Sequence, residues 1–210
     1  DILGRNVQIF EQKRTIGALD LVVRDNVGAV THWELAYKLY LQCDEATGWS
    51  SWLGPVGRDR LSIKLPHMLE RQLPLSSRSE ARASLERLGI TQIDQRRTLL
   101  QGTLFTHWRG PVATPDHGEL AAEGRWLRWS EVSELVTLYP HWRWVHRAKP
   151  LWFGYAASAE DAVSGEALIQ YDEVERAFLF SRFDGDDEQL FFVVPDDWGQ
   201  LQKDETPRPS

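Results

Sequence analysis

TIGALDLVVRD (residues 15–25) and THWELAYKLYLQ (residues 31–42) decide the fold. Both segments are dense in β-branched and aromatic residues, which pack well on a pleated surface, and both read as strands. The link Asn26-Val27-Gly28-Ala29-Val30 is short enough for an antiparallel hairpin. Upstream, Asn6–Phe10 is a short apolar run. Downstream, Gly48–Asp59 (GWSSWLGPVGRD) carries Gly, Pro and Ser and reads as a loop. Arg60–Leu73 has helical spacing, with Pro66 predicting a kink or break. Ser79–Leu88 reads as a second helix closed by Gly89, and Thr98–His107 as a further strand.

Past Trp108, Pro111–Gly124 is a loop and Ser130 is placed to cap a helix through Tyr139. Arg143–Tyr155 reads as extended, Ala167–Arg182 as helix or strand, Leu190–Val194 as a strand, and Thr206–Ser210 as a tail. The first half therefore runs β-β-β-loop-α-α-β, a mixed α/β arrangement rather than a Rossmann alternation. The expected organisation is a core over 1–107, an extension over 108–205 packed on the same domain, and a tail over 206–210. Neither GxGxxG nor GxxxxGK[ST] occurs, so no glycine loop for a nucleotide is indicated.

The chain has 210 residues, 42% hydrophobic and 26% charged, with a formal net charge of −7. That composition excludes disordered, collagen-like and disulfide-scaffold classes. The lone Cys43 forms no internal disulfide, and no CxxC spacing suggests zinc. A reducing, cytoplasmic setting is expected. No apolar run approaches the length of a membrane span, and residues 1–15 lack an apolar signal core. Starting at Asp1 rather than Met, the sequence reads as a fragment or trimmed chain. Charge is uneven: residues 160–205 hold 14 Asp/Glu against 3 basic residues, whereas residues 1–159 hold 17 acids and 20 bases. A nucleic-acid partner is compatible with that basic part.

Alternation along 31–42 places Trp33, Leu35, Tyr37, Leu39 and Leu41 on a buried face. Glu34, Ala36, Lys38, Tyr40 and Gln42 fall on the opposite one. In the preceding strand Asp20 stands alone among apolar neighbours, where a carboxylate needs a partner. With Asp25 opposite Thr31, Asp20 faces Ala36, and Glu34 and Lys38 become its diagonal neighbours. Two carboxylates there suit a Mg²⁺ ion, which takes carboxylate oxygens and keeps its waters, and a lysine suits an attacking water. A cross-strand patch of ion pairs is the structural alternative. On the following helix Arg60, Lys64, His67 and Arg71 share one stripe, suited to a phosphate backbone or to plain solvation. Arg58 lies just before it, in GPVGRDR (54–60).

RTIGALDLVVRD (14–25), HWELAYKLYL (32–41) and WLGPVGRDRLSIKL (52–65) together resemble an uncharacterised bacterial family, labelled domain of unknown function 1853. The likeness covers about residues 2–107 well. That family in turn is similar to the PD-(D/E)XK, or restriction-endonuclease-like, superfamily. The resemblance implies an α/β fold with a mixed sheet, a β-β-β-α-β core and C-terminal additions. It matches Asp20 and Glu34 to metal-holding, catalytic acids and Lys38 to the catalytic lysine. It further implies Mg²⁺- or Mn²⁺-dependent cleavage of phosphodiester bonds in DNA or RNA, with Arg58, Arg60, Lys64 and Arg71 on phosphates. Ala36 stands where the superfamily places the lysine, and the superfamily's upstream helix is not in this sequence. Both departures point to the alternative, a nuclease-fold module without catalysis that binds nucleic acid or a protein partner. Oligomeric state is not readable from these residues.

Ten tryptophans remain. Trp126, Trp129, Trp142 and Trp144 lie beside arginines and suit either base stacking or cover for a sheet, the commoner use. His107 with His117, or His141 with His146, have no standard metal spacing.

Overall fold

The computed structural model describes residues 1–44, 48–112, 122–154, 157–169 and 174–200. The chain divides into two compact units. The first comprises Asp1–Tyr37 and Ser62–Gln101; the second comprises Lys38–Leu61 and Gly102–Ser210. Ten strands in mixed parallel and antiparallel ladders, with few helices, make this a mixed α/β protein among the described residues.

In the first unit, β1 (Ile2–Glu11), β2 (Arg14–Arg24) and the start of β3 (Val30–Gln42) form an antiparallel meander. The expected register is corrected by two residues: Val23 pairs with Thr31 and Leu21 with Trp33. The turn explains the slide. The Asp25 Oδ1 accepts the backbone N–H of Val27 at 3.0 Å and of Ala29 at 2.9 Å, and the Asp25 N–H donates to the Ala29 carbonyl at 3.0 Å. Asp25 is thus consumed in closing the turn, and Arg24 and Val30 become the first pair. Because side chains alternate with a period of two, the slide leaves every residue on its face.

The predicted helix from Arg60 is shorter than expected. α1 (Leu61–His67) passes into a π turn over Met68–Gln72 and then a 3₁₀ turn over Leu73–Ser77. Pro66 lies inside α1 and has no N–H to donate, so regular winding fails just after it. The helix expected over Ser79–Leu88 is shorter: a 3₁₀ turn (Ser79–Ala81) precedes α2 (Arg82–Glu86), and the chain leaves it through a turn that closes at Gly89, whose φ is +69°. This helical layer packs Leu75, Ala81 and Leu85 onto Ile9, Leu19 and Val22 of the meander, with Ile90 and Ile93 closing the core.

In the second unit, β4 (Trp52–Leu53) pairs with the end of β3, turning part of the expected loop into buried structure. The end of β5 (Gln95–His107) runs parallel to β6 (Ala122–Arg128), and β6 parallel to β10 (Asp187–Val194). β9 (Phe178–Asp184), β7 (Arg143–Arg147) and β8 (Val163–Ser164) continue the ladder antiparallel. Phe191-Phe192-Val193-Val194 does not alternate because both faces of β10 are buried. Phe192 and Val194 meet Leu179 and Trp126, while Phe191 and Val193 meet Phe180 and Leu127.

α3 (Val132–Leu138) starts after a 3₁₀ turn rather than at Ser130, correcting the expected cap. The carboxylate of Glu131 does the capping, accepting the Arg128 N–H at 2.8 Å, His107 Nε2 at 3.0 Å and Trp108 Nε1 at 3.2 Å. Burial raises the pKa of Glu131, but these hydrogen bonds outweigh it and hold the group below its ordinary value. The expected tail over 206–210 lies outside the described residues, as do Tyr155 and His117.

Candidate functional site

Glu34 is the unusual residue of the first unit: a carboxylate with 0% exposure. Its neighbours show how that is tolerated. His32 Nε2 lies 2.7 Å from Glu34 Oε1, and Gln72 Nε2 donates to Glu34 Oε2 at 2.9 Å. His32, two residues earlier on β3 and therefore on the same face, is itself fully buried, with Nδ1 3.0 Å from Ser76 Oγ. Arg96 Nε donates to that oxygen at 3.0 Å. With Nε2–H donating to Glu34 and the Ser76 hydroxyl donating to Nδ1, both ring nitrogens of His32 and both carboxylate oxygens of Glu34 are paired. A buried carboxylate without such donors would be several kcal/mol out of balance.

The expected faces of β3 are therefore corrected for its first half. Leu35 and Tyr37 are 42% and 49% exposed, while the polar side carrying His32 and Glu34 is buried. The π turn and the 3₁₀ turn after it bring Gln72 and Ser76 over that side, and their hydrogen bonds make polar burial possible. Pro66 was the one sequence signal for this irregular segment; nothing in residue spacing singled out Gln72, Ser76 or Arg96.

Asp20 lies just past the last ladder pair, Leu21 with Trp33, so it neighbours Glu34 rather than Ala36. Its Oδ2 accepts the Leu35 N–H at 2.9 Å. A side chain thus replaces the next backbone ladder bond where β2 and β3 stop pairing. Lys64 and His67 both turn to Gln72: Lys64 Nζ lies 3.3 Å and His67 Nδ1 3.2 Å from its Oε1. The amine linked to Glu34 within this unit is thus that of Lys64, through Gln72. Arg71 is exposed.

Lys38, the expected catalytic lysine, belongs to the second unit. There its ammonium donates to Asp59 Oδ2 at 2.6 Å, and the Tyr40 hydroxyl donates to Oδ1 at 3.2 Å. Burial, reinforced by the Asp59 charge, pushes the Tyr40 phenol well above the usual tyrosine range. The charge of Lys38 is spent on Asp59. Arg60 donates to the Ser50 carbonyl at 3.1 Å, and Arg58 lines a cleft of the second unit. The expected stripe of Arg60, Lys64, His67 and Arg71 is accordingly not a single basic row.

Two carboxylates are the right chemistry for Mg²⁺, but this pair is closed against it. Both oxygens of Glu34 hold N–H donors, Glu34 is fully buried, and Asp20 secures a strand N–H. Among the described residues no three His, Cys, Asp or Glu side chains are grouped to hold an ion. The residues do not fit the metal as arranged. The Ser76–His32–Glu34 order also lacks the opening a nucleophile needs, since Ser76 is 6% exposed and its hydroxyl is engaged.

Of the remaining candidates, Trp126 and Trp144 are core residues, with 5% and 1% exposure, and cannot stack on bases. His107 is held by Glu131, while His141 lies 3.6 Å from Asp184 and His146 packs on Phe178.

The lysines and arginines of the first unit stand in contrast to its enclosed acid. They outnumber Asp and Glu there by eleven to nine. Among the described residues, none of them lies within ion-pairing distance of a carboxylate. Arg71, Arg78, Arg82, Arg87, Arg96 and Arg97 are exposed. No described helix is long and apolar enough to cross a membrane. A family model described as a domain of unknown function (DUF1853) matches residues 1–196. No curated protein and no solved structure matches the chain.

Proposed function

Starting from the fact that the chain belongs to this domain-of-unknown-function family, we propose that it is a nuclease-like module that binds DNA or RNA through phosphate contacts and does not cut. The restriction-endonuclease-like reading is supported by the chain order β1-β2-β3-β4-α1-α2-β5, in which three long strands, a helical segment and a fourth long strand follow one another. It is supported further by the adjacency of Asp20 and Glu34 on neighbouring strands where their ladder ends. The observation that carries the non-cutting half is the enclosure of Glu34 by His32 and Gln72. In a metal-dependent hydrolase this carboxylate has to offer oxygen to an ion, and here it is structural. The binding half rests on the uncompensated arginines of the first unit, since cations that pay no carboxylate are available to neutralise phosphates. A cytoplasmic setting belongs to the same proposal.

The test is a salt titration of the full chain with labelled single- and double-stranded DNA and RNA. Affinity is expected to fall about tenfold between 50 and 200 mM salt for every two phosphates contacted. The double variant Arg71→Gln/Arg78→Gln is expected to flatten the log–log slope by about 2. Binding that ignores salt, or a slope unchanged in the variant, overturns the phosphate-binding reading.

A further inference from the structure

The second unit contains a cleft of about 710 Å³, inside the range of roughly 300–1,000 Å³ typical of small-ligand sites. Its lining includes three exposed cations, Arg58, Lys149 and Arg176, and the aromatic side chains of Trp152 and Phe178, beside two carboxylates, Glu175 and Asp197. The cations and rings are coupled. Lys149 Nζ sits 5.9 Å from the Trp152 ring centre, and the Arg176 guanidinium 5.4 Å from that of Phe178. All three cations are exposed, and among the described residues none pairs with a carboxylate. Arg58 is presented by a loop closed on itself, with the Gly54 N–H donating to the Asp59 carbonyl at 2.7 Å and the Gly57 N–H to the Gly54 carbonyl at 2.8 Å.

This clustering runs against the composition of its surroundings. In the second unit acids outnumber Lys and Arg by twenty-two to thirteen, so an average surface there is negative. Set against Glu175 and Asp197, these three unpaired cations still leave the concavity net positive, with a local demand for negative charge. The aromatic walls add a demand for a flat apolar partner. One ligand chemistry answers both. We propose that the cleft binds a nucleoside monophosphate, its phosphate on Arg58, Lys149 and Arg176 and its base against Trp152 and Phe178. Asp197, also on the lining, suits the ribose hydroxyls as an acceptor. The site is separate from the arginines of the first unit and does not depend on their role.

Isothermal titration of the full chain with AMP, adenosine and inorganic phosphate tests it. AMP is expected to bind at least tenfold more tightly than either adenosine or phosphate, because only AMP meets both demands. Lys149→Gln/Arg176→Gln is expected to weaken AMP at least tenfold while leaving the melting temperature and the salt-dependent polynucleotide binding in place. Arg71→Gln/Arg78→Gln is expected to bind AMP like the unaltered chain, which separates failure of this site from failure of the first-unit reading. No heat with AMP at millimolar concentration, equal affinity for adenosine, or AMP binding untouched by the double variant each overturns the proposal.

Discussion

Glu34→Ala is expected to lower the stability of the protein by about 3–5 kcal/mol, the range for breaking a buried charged hydrogen-bonded pair. The loss has identifiable parts. Truncation leaves the fully buried Nε2 of His32, and the Nε2 of the partly buried Gln72, without their acceptor. Each orphaned buried donor costs about 1–3 kcal/mol. The cavity left by the carboxylate adds to this. Glu34→Gln keeps the volume and one acceptor oxygen, so it is expected to lose less than the alanine variant. Urea denaturation read from the midpoint, with the slope checked for constancy, measures both. A drop below about 0.5 kcal/mol for Glu34→Ala is what an exposed, purely catalytic carboxylate gives, and it would refute the enclosure described here.

Gly102→Ala is expected to be comparably damaging for a different reason. A Cβ built on Gly102 stands 1.7 Å from the Lys38 carbonyl oxygen and 2.7 Å from its carbonyl carbon. The obstacle is backbone, which cannot swing aside as a side-chain tip can, and the φ of +159° disfavours any L side chain. Inserting the methyl must force β5 away from β3 at this point, within the second unit. The cost is expected at the top of the range of about 1–3 kcal/mol for overpacking, or above it. Thermal melting checks this: a melting temperature within a degree of the unaltered chain contradicts the close approach. Lys38 lies at the contact, so the variant also reports on the Lys38–Asp59 pair without touching either side chain.

How much of this was legible beforehand depends on range. The hairpin, its turn and the strands at 98–107 and 190–194 follow from β-branched density and local turn chemistry, which are properties of a few consecutive residues. Gly89 likewise needs only its own helix end. The register differs by two residues because residue pattern alone makes Asp25 part of the strand, whereas its side chain closes the turn. The buried side of β3 escaped for a more general reason. Alternation separates two faces but does not say which is covered, and the cover comes from Gln72 and Ser76, some forty residues later in an irregular turn. Once His32 is seen two positions before Glu34, the pair is a candidate for mutual satisfaction; without a partner it reads as an open acid. Lys38 shows the same limit, since its partner Asp59 sits in a loop whose path no periodicity determines.

The fate of a phosphodiester bond separates binding from cutting most directly. The chain is incubated with labelled DNA and RNA in the presence of Mg²⁺ or Mn²⁺, beside the Asp20→Asn variant, which retains an oxygen to accept the Leu35 N–H. The expected result is retention of the label by the protein at low salt with substrate length unchanged. Shortened substrate that depends on the added ion and disappears in Asp20→Asn would contradict it, and would mean that Glu34 leaves His32 and Gln72 to take up a metal.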